Sequence, residues 1–100
     1  MFRVTRIFTR LDTGIKWHFE VLDGSYFRET YIDTGKILLL NNTISEDGLT
    51  FNHEAFWIDE ATWIAHKEDP NIIQYFAARD SYNNANGITA SATTTETIGE

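Results

Sequence analysis

The sequence predicts a single α+β domain: an antiparallel sheet in a split βαβ order, with helices on one face. Three observations carry this. The N-terminal stretch alternates apolar and polar residues, a hairpin signature surrounds Asp47-Gly48, and Asp59 and Asp69-Pro70 each mark a helix start. The chain has 100 residues, six glycines, one proline and no cysteine. At this length roughly two thirds of the unfolded surface is buried on folding, enough for one core without covalent staples.

Residues 2–10 (FRVTRIFTR) read as a strand. One face would carry Phe2, Val4, Arg6 and Phe8, the other Arg3, Thr5, Ile7 and Thr9. Residues 11–16 are turn-like, and residues 17–22 are ambiguous between strand and helix. A helix over 25–34 follows, with Asp23 or Ser25 as cap and Gly35 as its left-handed stop. Residues 37–45 and 49–58 then form two strands around Asp47-Gly48. That turn sets Ile44 opposite Phe51, Asn42 opposite His53, Leu40 opposite Ala55 and Leu38 opposite Trp57. On the other face Thr43 meets Asn52, Asn41 meets Glu54, Leu39 meets Phe56 and Ile37 meets Ile58. Asp59 caps a helix beginning Glu60-Ala61-Thr62-Trp63. Asp69-Pro70 breaks and restarts it, because proline suits the first helical position. The restarted helix shows Ile72, Ile73, Phe76, Ala77 and Asp80 on one side and ends near Asn84, with Gly87 beyond. Residues 1–87 thus make the domain. Residues 88–100 form a Ser/Thr-rich tail, expected as disordered or as an edge strand.

This order is the ferredoxin-like one. Helices on one side leave an apolar sheet face open, and at this size a second copy usually closes such a face, so a homodimer is expected. Composition removes several function classes. Without cysteine there is no disulfide scaffold, thiolate zinc site, iron–sulfur cluster or cysteine nucleophile. The longest apolar run, Ile37-Leu38-Leu39-Leu40, falls far short of the ~18 residues needed to cross a bilayer. The N-terminus lacks the apolar core of a signal peptide, and a reducing interior such as the cytoplasm fits best. The formal charge is −7. Arg3, Arg6 and Arg10 make the first ten residues purely basic, and all fifteen acidic residues follow. An acidic domain is repelled by phosphate backbones and anionic lipid, so neither nucleic acid nor a membrane is expected as a partner.

The stretch FWIDEATWIAHKEDPNIIQYF (residues 56–76), with the element order over residues 2–84, resembles the dimeric α/β-barrel proteins of the antibiotic-biosynthesis-monooxygenase type. In that family an aromatic ends the third strand, a cap follows, and aromatics face an Asp-Pro helix break. The matching residues are Trp57, Asp59, Trp63, Asp69 and Pro70. The segment YIDTGKI (residues 31–37) is also similar to small relatives, some of them from marine viruses. The resemblance implies a barrel made by two sheets, with a cavity between sheet and helices in each subunit. It implies cofactor-free oxygenase or isomerase chemistry on small molecules, or no activity. The haem-degrading branch is disfavoured. Its strand asparagine falls at Thr5 or Arg6, its tryptophan at His66 and its histidine near Phe76.

Among candidate site residues, His53 opposes Asn42 on an apolar face, where an amide-held neutral imidazole suits a general base. The plain alternative is a buried polar pair that satisfies itself and sets register. Glu54, across from Asn41, is a proton acceptor if its face lines the cavity and a polar rim otherwise. Arg6 on an apolar face suits an anionic ligand. Trp57 and Trp63 suit a planar aromatic ligand but serve equally well as core. The resemblance brings His66 to the same cavity. His18 and Glu20, two apart on a strand, would be half of a metal site, and no third ligand accompanies them. Neither a cofactor nor a metal is expected. The leading function is small-molecule binding with oxygenase-like or isomerase-like chemistry, and an enclosed cavity reached by His53 or His66 would favour it. The rival is a non-catalytic assembly or accessory protein, for instance a viral one, whose interior is filled by Trp57 and Phe51.

Overall fold

The computed structural model describes residues 1–99; residue 100, the last of the expected tail, lies outside them. Strand β1 (Phe2–Thr9) is followed by a one-turn helix α1 (His18–Val21). Helix α2 (Ser25–Phe27) runs straight into a π-helical stretch (Arg28–Ile32). The hairpin β2 (Ile37–Ile44) and β3 (Thr50–Trp57) comes next, then α3 (Glu60–Lys67), α4 (Pro70–Ala85), β4 (Thr89–Ala90) and β5 (Thr94–Thr97). The strand order is β2-β3-β1-β4, with β5 also on β1, and every pairing is antiparallel. This is the α+β, ferredoxin-like sheet that the element order predicts. None of the described helices is long and apolar enough to cross a membrane.

The local reasons are legible. Asp59 accepts the Thr62 amide at 2.8 Å and Asp69 accepts the Asn71 amide at 2.9 Å, so both helix starts have side-chain caps. Gly35, with φ +81°, takes the left-handed position that ends the helical stretch before it. Residues 17–22 resolve as helix. Glu20 reaches back to the Trp17 amide at 2.8 Å, so His18 and Glu20 do not share a strand face. The predicted hairpin register is present from Ile44↔Phe51 to Leu39↔Phe56 and then slips. A bulge at Leu38 puts Ile37, not Leu38, opposite Trp57, and Ile58 bonds Lys36 instead of pairing with Ile37. The slip turns Ile37 inward, 4% exposed, and Leu38 outward.

Helix α4 is rotated relative to the expected stripe. Its buried residues are Ile72, Arg79 and Asn83, with Phe76 between them packed on the core, while Ile73 and Asp80 face solvent. These spacings of four, three and four follow one helical face. The core consists of two clusters. Phe2, Val4, Tyr31, Ile37, Ala55, Trp57 and Ile72 form the first, and Phe8, Trp17, Phe51 and Ile88 the second. The tail strands bury no side chain but bond to β1, and the Arg3–Glu96 ion pair (3.0 Å) fastens β5.

Candidate functional site

The two clusters are separated by a polar layer. On the helix-covered face, the row Val4–Ala55–Leu40 belongs to the first cluster and Phe8–Phe51–Ile44 flanks the second. Between them the sheet aligns Arg6, His53 and Asn42 across three strands. Helix α4 adds Arg79, whose Cζ lies 4.2 Å from the Phe76 ring and 5.7 Å from that of Phe8. Arg6 Cζ is 5.4 Å from the same Phe8 ring. Helix α1 adds His18, 5.2 Å from Phe8 and 6.5 Å from Phe51 between ring centres, and His53 lies 6.4 Å from Phe51. Two arginines and two histidines therefore gather around one aromatic pair, Phe8 and Phe51, stacked at 6.1 Å.

The protonation pattern follows from burial. His53 Nδ1 lies 2.8 Å from Asn42 Oδ1. An amide oxygen only accepts, so Nδ1 carries the proton and Nε2 keeps its lone pair. Among the described residues Nε2 has no hydrogen-bond partner. His53 is half-buried, and desolvation, reinforced by the Arg79 charge, lowers its pKa to about 4. His18 is lowered to about 4 by burial first, then by Arg79, His53 and Arg6, and its buried Nδ1 has no partner. Burial also lowers Arg79, yet a guanidinium stays charged at neutral pH. Its Nε donates to the exposed Asp80 carboxylate at 3.0 Å. The layer thus holds two cations, one carboxylate and two neutral imidazoles. In an acidic protein this layer carries a net positive charge, with a neutral imidazole beside it.

The other predicted residues lie elsewhere. His66 is 4% exposed within the first cluster, walled by Trp57 at 4.5 Å, Tyr31 at 5.2 Å, Phe76 at 5.6 Å and Phe27 at 6.0 Å. Its Nδ1–H donates to the Trp63 carbonyl at 2.9 Å. Trp57 is core, and Trp63 lies tilted against Phe2, ring centres 5.2 Å apart, with Lys67 Nζ over its ring at 3.7 Å. Glu54 sits on the face without helices, accepting from Asn41 at 3.1 Å, with Arg3 at 3.9 Å. Arg79 and Asn83 were missed by sequence reasoning. The signal was present in the 72–76–79–83 spacing, once polar residues are admitted to an inward stripe. Among the described residues no three His, Asp or Glu side chains converge as metal ligands.

No protein-family model matches the chain, and no curated protein matches it. Solved structures do. A candidate antibiotic biosynthesis monooxygenase from Deinococcus radiodurans is 15% identical, with a TM-score of 0.62 over 100% of this chain and 94% of that one. SnoaB, a cofactor-independent oxygenase from Streptomyces nogalater, is 14% identical, with a TM-score of 0.65 over 99% and 93%. A single-substitution mutant of the same oxygenase gives 11% and 0.62 over the same shares. The chain therefore has the fold of the antibiotic-biosynthesis-monooxygenase structures, the fold its own sequence resemblance implies.

Proposed function

We propose that the chain binds a small, acidic, planar molecule in the polar layer and removes a proton from it without a cofactor. The observation that supports this most is the Asn42–His53 pair beside Arg79. A neutral imidazole with a free Nε2 takes the proton, and the guanidinium stabilises the enolate or phenolate left behind. An isomerase returns that proton to another carbon. An oxygenase passes the electrons to dioxygen, and the chain shares its fold with an enzyme of that description. Asn42 positions the base, while Trp57, Trp63 and His66 serve as the packed wall behind it.

The reading includes a homodimer closed through the sheet face without helices. That face exposes Leu39 (52%) opposite half-buried Phe56, with Leu38 (54%) at its margin, and Ile7 (41%) further along β1 opposite Asn52, more apolar surface than one sheet needs to show water. The reading also assigns the chain to a reducing interior such as the cytoplasm, a setting that suits a sequence without cysteine.

A second reading has its own observation. Trp57 and Phe51 are 2% and 5% exposed, so they fill the interior, and two hollows among the described residues are open grooves that neither His53 nor His66 lines. That favours a non-catalytic assembly protein. Incubation of the full chain with anthrone in D2O decides between them. Deuterium entering the acidic methylene, lost in His53→Ala and reduced in Arg79→Gln with circular dichroism unchanged, supports proton abstraction, and oxygen uptake then distinguishes oxygenase from isomerase. Exchange no faster than buffer, with no small molecule carried in native mass spectrometry, leaves the assembly reading.

A further inference from the structure

On the other side of Arg6 from His53, the end of α4 and the edge formed by β1 and β4 enclose an open hollow of about 470 Å³. Arg6, Asp80, Ser81, Asn83, Ile88 and Ala90 line it. Asn83 is the unusual member. It is 4% exposed, and neither its Nδ2 nor its Oδ1 has a hydrogen-bond partner. A buried carboxamide with both ends unpaired carries a standing penalty that a group offering one acceptor and one donor would remove. The charged residues match that demand. Arg6 spends only Nε, on the Ser91 carbonyl at 3.2 Å. Asp80 spends only Oδ1, on Arg79. Among the described residues Arg6 makes no ion pair, although it shares the hollow with Asp80.

We propose that this hollow is a binding site for a free α-amino acid with a small or apolar side chain. Once the buried Asn83 side chain turns toward the hollow, the ligand's carboxylate meets Arg6 and Asn83 Nδ2, its ammonium meets Asn83 Oδ1 and the second Asp80 oxygen, and its side chain lies against Ile88 and Ala90. A lone anion would leave Asn83 Oδ1 unpaired and face Asp80, and a lone cation would face Arg6. A zwitterion satisfies both ends of the amide and both charges. The site stands whether or not His53 reacts, since neither His53 nor Asn42 lines the hollow, although Arg6 and Asp80 border both.

The test is a nitrogen-15 correlation titration of the full chain with L-alanine, and separately with acetate and with ethylammonium. L-Alanine should shift the Asn83 side-chain amide pair and bind about tenfold or more tightly than either half-ligand. Arg6→Gln and Asp80→Asn should each weaken it by a similar factor, with their own spectra confirming the fold. Acetate binding as tightly as L-alanine would reduce the hollow to an anion site. No response of Asn83 to L-alanine would assign its amide to buried water, and either result overturns the proposal.

Discussion

His53 and His18 have pKa values near 4 because burial removes the water that would solvate an imidazolium, and Arg79 adds positive charge beside both. The unfolded chain titrates its histidines near the ordinary 6.5, so between pH 6.5 and 4 the unfolded state binds more protons than the native one. Stability therefore falls as pH drops through that window, by up to about 3 kcal/mol for each histidine. Urea midpoints measured from pH 7 to pH 4 should show this fall, and His53→Gln should remove a large part of it. The capping aspartates act separately. Asp59 and Asp69 are held below the usual carboxylate range by their hydrogen bonds, so the stability they contribute is lost only at more acid pH. Asn42→Ala should release the tautomer of His53. Nitrogen-15 spectra of the imidazole should change from one protonated at Nδ1 to a mixture, with little change in the fold because Asn42 is exposed.

Elements are joined here by a few polar fasteners, and their energetics differ by how many elements each one holds. Asp69 caps α4 and also accepts the Tyr26 and Tyr31 hydroxyls at 2.6 and 2.5 Å, tying α2 and the π-helical stretch to the start of α4. Asp59 holds only its own helix, through the Thr62 amide and hydroxyl. Asp69→Ala should consequently lower the urea midpoint more than Asp59→Ala, and reversal of that order would refute the fastening role. Gly35→Ala isolates backbone strain. Nothing lies within 4 Å of the added Cβ, so the cost is that of a left-handed alanine, about 1 kcal/mol by equilibrium unfolding. Caps, turn glycines and the hairpin were legible because each depends on neighbours in the chain. The helical reading of residues 17–22 was not, because Trp17, Phe19 and Val21 alternate like a strand and only burial of Trp17 in the second cluster decides the turn.

For the whole molecule, a dimer closed through the uncovered sheet face makes a direct prediction. Sedimentation of the wild-type chain should give a dimer in the micromolar range. Leu39→Asp should give a folded monomer, since Leu39 is already half exposed and its loss leaves the core intact. A wild-type monomer across that range would remove the barrel. The sequence by itself determined which residues share a face: Arg6 with Phe8, His53 with Asn42, and Glu54 with Asn41, because side-chain alternation in a strand has a period of two. It also determined where α3 and α4 start, because the Asp59 and Asp69 caps are contacts over two or three residues. Only the tertiary structure decided which face the helices cover, and with it that His53 rather than Glu54 lies inside. Alternation labels two faces but says nothing about what packs on either. The rotation of α4 that brings Arg79 and Asn83 inward was likewise decided by the fit of Ile72 and Phe76 against the sheet, a long-range packing term that no local pattern encodes.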